Sequence, residues 1–467
     1  MVWRLKRLES MKKPRIIISG VSGKIGKTVI TSAIISKLRE RGFKVQPFKI
    51  GPDFIDPSYH NVFSSLPSRN IDSIMFKKEV LVSSFCRAME NADIGVIEGV
   101  FGLYDSMDGL SEKGSTAEVS KILRSPVVLI VDAERINRGL LAIVKGFREF
   151  DREVKLSGII VNNVAHEKQR QKIVNALKEY FKDLEIIGII DRNRVIEEKM
   201  KYRHLGLIPT SERTHELDEI RTALREIGQQ IEIDKLIELA SNVEEICPDE
   251  TTVESPHTDR ARIGVIRDSI FSFYYPENIE YFESVAEKVY FIDSINDASL
   301  PEVDLLYIGG GFPEVYAGLL ERNKSLKSDI KKRYYQGMKI YAECGGLIYL
   351  SDRVKTFNGE EYEMVGLIDG FIEMFRKPVG HGYVYLSTIK DNPLSIRNQS
   401  LIGHEFHHSR LFLREKVDFA FRVERGFGVD GRNDGIIKEN LLAMYTHLHF
   451  LHNPQLFSRL IMWPHQS

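Results

Sequence analysis

The chain has 467 residues, 43% of them hydrophobic and 28% charged, an ordinary soluble balance in a chain too long for a single core. Lys plus Arg is 65 and Asp plus Glu is 66, a net charge of −1, so no cationic excess exists for general nucleic-acid binding. The three cysteines, Cys86, Cys247 and Cys344, are too scattered for a disulfide framework or zinc cluster and suit a reducing cytoplasm; no apolar run approaches the ~18 residues of a membrane span.

Residues 1–13 read as an N-terminal extension: MVWRLKRLES is basic, lacks the apolar core of a secretory signal, and precedes a second methionine, Met11. From 14 to 246, short β-branched runs alternate with segments of helical spacing. The expected strands are Arg15–Ser19, Val45–Ile50, Ile94–Ile97, Val127–Val131, Gly158–Val161 and Leu184–Ile190. Continuous apolar strands between helices predict a parallel sheet covered on both faces. In the first helix Ile30, Ile34 and Leu38 share a face, and Gly42 is the expected stop.

The first strand runs into Gly20-Val-Ser22-Gly23-Lys-Ile-Gly26-Lys27-Thr28 and then a helix, the arrangement of a phosphate cradle. Gly20, Ser22, Gly23 and Gly26 would let backbone N–H groups face the phosphates of ATP. Lys27 would reach the β and γ phosphates, and Thr28 Oγ would ligate Mg²⁺. Val21 stands where the usual spacing has glycine. Glu98, at the carboxyl end of the Ile94 strand, is a candidate metal carboxylate. The second strand ends at Lys49 and opens into Gly51-Pro-Asp53-Phe-Ile-Asp56-Pro, which places two carboxylates in a rigid loop near the phosphates. Lys49 suits either a phosphate or a substrate carboxylate.

Residues 247–261, CPDETTVESPHTDRA, are polar with two prolines and read as a linker. A second α/β domain, 262–467, follows, with strands expected at Ile263–Ile266, Lys288–Ile292, Leu305–Ile308 and Lys339–Tyr341, then more strand-like, Gly-rich sequence. Cys344-Gly345-Gly346 after a buried strand is a nucleophile elbow. A helix N-terminus there would lower the thiol pKa. The Gly345 N–H, with Gly310 and Gly311 after the Leu305 strand, would hold an oxyanion. The nucleophile needs a base, and Glu405, His407, His408, His447, His449 and His452 are at hand.

Seven segments carry a resemblance: GPDFIDPSYH (51–60), EGVFGLYD (98–105), GSTAEVSKIL (114–123), IGGGFPE (308–314), AECGGLIYL (342–350), GHEFHHS (403–409) and YTHLHF (445–450). In this order they closely resemble the cobyrinic acid a,c-diamide synthase family, from about residue 14 to the C-terminus. The resemblance implies a dethiobiotin-synthetase-like P-loop domain fused to a class I glutamine amidotransferase domain. It implies amidation of the a and c acetates of a tetrapyrrole, with L-glutamine as nitrogen source. Lys27 and Thr28 then serve ATP and Mg²⁺, and Asp53 and Glu98 the metal. Lys49, Asp56, Tyr59, His60 and Asp105 lie near the carboxylate being activated. Ser106 stands where the family usually has glycine.

The resemblance also makes His447 the base of Cys344. Class I amidotransferases usually carry Glu two residues after this His; here that residue is His449. A Cys–His pair without a third carboxylate is therefore expected, with Glu343 pointing away along an extended chain. GHEFHHS is expected to order a substrate face or the seam between domains, not to catalyse. Nickel sirohydrochlorin and sirohaem are alternative macrocycles. Cobyric acid synthase lacks the GPD-x-x-DP loop, and a P-loop ATPase switch would need neither Cys344 nor His447. The expected partners are the tetrapyrrole, L-glutamine and ATP, with a homodimer as the assembly considered and neither nucleic acid nor membrane.

Overall fold

The computed structural model describes residues 3–4, 12–199, 202–203, 206–207, 217–246, 252–253, 261–453 and 455–463. Cys247 and most of the stretch read as a linker lie outside them, as do 1–2 and 5–11 of the extension. Two compact units are distinguished, one within Leu5–Thr252 and the other within Val253–Ser467.

The first unit is built on a seven-stranded sheet. Its strands are β1 (Arg15–Gly20), β2 (Val45–Ile50), β3 (Arg69–Ile71), β4 (Ile94–Glu98), β5 (Val127–Asp132), β6 (Leu156–Val164) and β7 (Glu185–Asp191), in the order β3-β2-β4-β1-β5-β6-β7. Every pairing is parallel. All six residues of β1 are buried, because helices cover both faces. Helix α1 (Lys27–Glu40) sinks Ile30, Ala33, Ile34 and Leu38 into that core. It ends at the Arg41 cap, and Gly42 takes φ +89°, the left-handed stop expected of glycine. The central β1 has β4 on one side and β5 on the other, so the loops after β1, β2 and β4 meet at one sheet edge.

The second unit carries a nine-stranded sheet and a four-stranded one. Strands β8 (Arg262–Ile266), β9 (Lys288–Ile292), β10 (Leu305–Ile308) and β11 (Lys339–Glu343) are joined by a later strand, Leu441–Met444. They lie parallel in the order β9-β8-β10-β11-(Leu441–Met444). Four antiparallel strands extend this sheet: Asn433–Lys438, Asp418–Arg425, Gly380–Thr388 and Ser400–His407. The strand-rich sequence after residue 360 supplies them. The architecture is α/β throughout: a unit on a wholly parallel sheet, followed by a unit whose main sheet is parallel on one side and antiparallel on the other.

One polar side chain ties the first unit together. Arg15 is fully buried at the start of β1. Its guanidinium donates to the carbonyls of Lys13 (2.9 Å), Leu123 (2.7 Å), Arg124 (3.3 Å) and Glu244 (2.9 Å). Burial lowers its pKa to about 10. Replacing it leaves buried carbonyls without donors, which costs about 1–3 kcal/mol for each strongly affected group. Arg15→Met is expected to lower the stability of this unit by about 3 kcal/mol, read as a lower denaturant midpoint at unchanged slope.

Candidate active sites

The first site lies where β1, β2 and β4 end. Gly26 caps α1 at φ +90°, where a side chain would be strained, and an added Cβ would also meet Asn162 Nδ2 at 2.8 Å. Asn162, from the end of β6, donates to the Ile25 carbonyl at 3.0 Å and braces the loop from behind. The sequence reading missed this residue. At Gly23 an added Cβ would meet nothing within 4 Å, so that side of the loop is open space, whereas Gly20 is filled by Ile25. Ser22 and Gly23 are exposed. Lys27 Nζ folds back onto the Ser22 carbonyl at 3.0 Å. Burial, then the neighbouring Lys49, lowers its pKa to about 8.

Behind the loop is a buried network of charge. Thr28 Oγ1 lies within hydrogen-bond distance of both Glu98 Oε1 (2.9 Å) and Asp56 Oδ1 (3.0 Å), with one proton to share between them. Lys49 Nζ bridges Asp56 Oδ2 (2.6 Å) and Glu98 Oε1 (2.9 Å) and reaches the Gly99 carbonyl (3.1 Å). His60 Nε2 lies 2.7 Å from Glu98 Oε2, and its Nδ1 lies 3.1 Å from Ser68 Oγ. Burial opposes ionisation of Glu98, but Lys49 and His60 outweigh it and hold this carboxyl below the usual range. Asp56 goes the other way: burial, then the nearby Asp53, pushes it well up despite Lys49. The carboxylates hold the Lys49 ammonium above its ordinary value against burial.

Two placements differ from the sequence reading. Asp56, rather than Asp53, shares Thr28 with Glu98. Asp53 Oδ1 instead accepts the N–H groups of Ile55 (2.7 Å) and Asp56 (3.2 Å), shaping the turn that presents Asp56. Tyr59 and His60 were expected beside the substrate; both are fully buried, and His60 contacts Glu98. Helix α2 (Ile55–Phe63) starts in this turn, so its inward face points them into the core. Asp105 is exposed and accepts the Gly102 N–H at 2.7 Å, and its charge acts on Lys27. One hydroxyl and two carboxylates form an oxygen-only donor set that fits Mg²⁺.

The second site lies where β10, β11 and Leu441–Met444, three adjacent parallel strands, end. Cys344 follows β11 at φ +48°, outside the ordinary range of a non-glycine residue and typical of a strained elbow. The elbow leaves no room for side chains beside it. A Cβ on Gly345 would come within 2.9 Å of the Gly311 nitrogen, and one on Gly346 within 2.3 Å of the Ile308 carbonyl. A Cβ on Gly310 would meet His447 Cε1 at 2.4 Å and Nε2 at 3.1 Å. Cys344, Gly310, Gly311, Gly345 and His447 are therefore brought together.

The thiol differs from expectation. Burial, then the charge of Glu314, pushes Cys344 up; the Gly345 N–H pulls the other way but does not prevail. The helix behind it, Gly345–Leu350, is only six residues long, too short to overcome burial. The resting group is a thiol, so it needs a base.

Glu343 also differs. The positive φ at Cys344 breaks the extended alternation on which its outward direction rested. Its carboxylate is 2% exposed, with Oε2 at 3.7 Å from His447 Nδ1. His449, in the place where Glu is usual, lies 3.5 Å from Glu277 and packs against the Tyr275 ring, tilted, at 4.2 Å between centroids.

The GHEFHHS strand braces the loop that carries His447. His404 and His447 exchange backbone hydrogen bonds (3.1 and 2.7 Å), and their rings stack at 4.9 Å. His407 stacks on Tyr445 at 3.8 Å. Buried Asp434 accepts the N–H groups of Tyr445 (3.0 Å) and Thr446 (3.1 Å) and the Thr446 hydroxyl (2.6 Å). Asp434 has no motif to announce it, and the sequence reading missed it.

Known proteins resemble both units. Residues 16–218 match the CobQ/CobB/MinD/ParA nucleotide binding domain, and 262–455 the CobB/CobQ-like glutamine amidotransferase domain. The cobyrinate a,c-diamide synthase of Archaeoglobus fulgidus is 45% identical over 97% of this chain and 98% of its own. That of Methanosarcina barkeri is 38% identical over 93% of each chain. That of Listeria innocua is 35% identical over 96% of this chain and 98% of its own.

Lys27 generates a pH prediction. With its free amine at about 8, it is charged below that value, and ATP phosphates would raise its pKa in the complex. ATP affinity is expected to be flat below about pH 8 and to fall above it, by up to roughly tenfold per pH unit. Titration calorimetry on either side of that value should show proton uptake on binding only above it.

Proposed function

The chain belongs to the cobyrinate a,c-diamide synthase family, and on that footing we propose that it amidates the a and c acetate carboxylates of a tetrapyrrole. It is an ATP-dependent amide ligase that uses glutamine. The observation that carries the reading is the presence in one chain of two strand-edge sites with different chemistry. One has Lys27 and Thr28 beside Glu98; the other has Cys344 and His447 beside Gly310 and Gly311.

A carboxylate is a poor electrophile. Transfer of the ATP γ-phosphoryl to the acetate oxygen gives an acyl phosphate and ADP. Ammonia then attacks the acyl carbon, and phosphate leaves with the former carboxylate oxygen. Lys27 supports the transferring phosphoryl, and backbone N–H groups of 20–26 hold the others. Mg²⁺, when bound, would neutralise phosphate charge, and Thr28, Glu98 and Asp56 are the residues that would hold it. Asp53 keeps Asp56 in place. Lys49 and the exposed Asp105 flank the position for the acetate.

Ammonia comes from glutamine. The Cys344 proton passes to His447 as sulfur attacks the side-chain amide carbon. The oxyanion meets the N–H groups of Gly345 and the Gly310–Gly311 loop. His447 returns the proton to the leaving nitrogen, ammonia departs, and water hydrolyses the thioester to glutamate. The reduced, buried thiol suits a cytoplasmic location. Among the described residues no helix is long and apolar enough to cross a membrane.

Two measurements test this reading. Cys344→Ala is expected to abolish glutamine-dependent amidation while keeping activity with added ammonium; loss of both would sink the two-site scheme. Incubation with ATP, Mg²⁺ and glutamine against cobyrinate and nickel- or iron-sirohydrochlorin should add two amides to the true substrate, read by mass spectrometry. No amidation of any of them rejects the tetrapyrrole assignment.

A further inference from the structure

We propose that Glu343, the residue before the nucleophile, is the positioning carboxylate of His447. The inference rests on the Cys344–His447 glutaminase reading and deepens it. The His447 ring has two distinct edges. Its Nε2 and Cε1 edge faces Gly310, on the side of the oxyanion loop, while Nδ1 faces Glu343 Oε2 at 3.7 Å. When Nε2 accepts the Cys344 proton, positive charge spreads over the ring, and the carboxylate behind Nδ1 stabilises it.

Glu343 is held for that task. Oε1 accepts the Tyr341 hydroxyl (2.6 Å) and the Leu448 N–H (3.0 Å), and Oε2 accepts the Tyr307 hydroxyl (2.8 Å). Three donors converge on this one buried carboxyl, which serves all of them as an acceptor. Burial, then Glu343 itself, pushes both tyrosine pKa values well up, so both phenols remain donors. Leu448 follows His447 in the chain, so Glu343 fixes the backbone of the base as well as its ring. Tyr307 and Tyr341 stand opposite each other on β10 and β11, and Tyr341 and Glu343 share a face of β11.

The other groups facing His447 do not supply this charge. His404, stacked on it, is held well below its ordinary pKa by burial and by His447, so it is neutral. Cys344 is the proton donor. His449 is engaged with Tyr275 and Glu277. An acid two residues after the base is therefore unnecessary: the nucleophile's own strand provides the carboxylate.

Glutamate release, measured as kcat/KM against pH, tests the assignment. Glu343→Gln is expected to lower kcat on the order of a hundredfold with the glutamine KM changed less than about threefold. Its acidic limb should move to lower pH, because the imidazolium loses its counter-charge. Glu343→Asp keeps the charge and should recover part of the rate with the limb near its original position. Tyr307→Phe strips a donor from the oxygen nearest His447, so that oxygen becomes more basic and the limb should move up. Tyr307→Phe decides the matter if Glu343→Gln fails to fold. A merely structural role predicts lower rates with the limb unmoved in every folded variant, and that result, or a wild-type rate in Glu343→Gln, overturns the proposal. Wild-type protein that releases no glutamate overturns the underlying glutaminase reading instead.

Discussion

A parallel sheet buried on both faces has one place to do chemistry: the edge where its strands end. Side chains along the strands are committed to the core, as the six buried residues of β1 illustrate. At the carboxyl edge the backbone must turn toward a helix, which exposes N–H groups and releases side chains. Both units obey this constraint. Thr28, Asp56 and Glu98 follow or end β1, β2 and β4, which are neighbours in the sheet although distant in sequence. Gly310, Cys344 and His447 follow β10, β11 and Leu441–Met444, again neighbours. Strand order is thus what converts scattered motifs into two sites.

Burial at such an edge makes every charge depend on its partners. Glu98 is fully buried and is held ionised by Lys49 and His60; without them its desolvation cost would be several kcal/mol. Asp56, in the same network, moves up, because burial and then the nearby Asp53 outweigh Lys49. One lysine thus serves two carboxylates of unequal proton affinity. A divalent cation held by Thr28, Glu98 and Asp56 would compete with Lys49 for the same oxygens. The −1 net charge of the chain conceals this local arrangement.

Much of this was legible in the sequence because strand interiors and glycine turns leave local signatures. Val45–Ile50, Lys288–Ile292 and Leu305–Ile308 begin and end where the sequence predicts them. Gly26 and Gly42 carry the positive φ that their positions require. What was not legible is long-range or depends on one dihedral. Asp53 and Asp56 are chemically alike and three residues apart, and only the turn decides which one reaches Thr28. Glu343 was assigned the wrong direction because alternation was carried through a residue at φ +48°. The pairing of Tyr341 with Glu343 at i and i+2 was a usable signal. The Cys344 pKa was misjudged because a helix-end effect was weighed without knowing the depth of burial.

The carboxylates around Cys344 look contradictory until the resting and reacting states are separated. Burial above all, then Glu314 and, to a lesser extent, Glu343, push the thiol up, so all three oppose a free thiolate. A resting thiol is a poor target for oxidation, because susceptibility follows thiolate character and exposure. On the proposed mechanism, glutamine filling the site sends the proton to His447 rather than to solvent, and negative charge moves from sulfur to the carbonyl oxygen. Glu343 then lies behind a cation, and Gly345 and the Gly310–Gly311 loop lie beside an anion. On the proposed assignment, a carboxylate that adds to the opposition to a free thiolate without substrate stabilises the charge pair with it, and its place directly before Cys344 ties both effects to one residue.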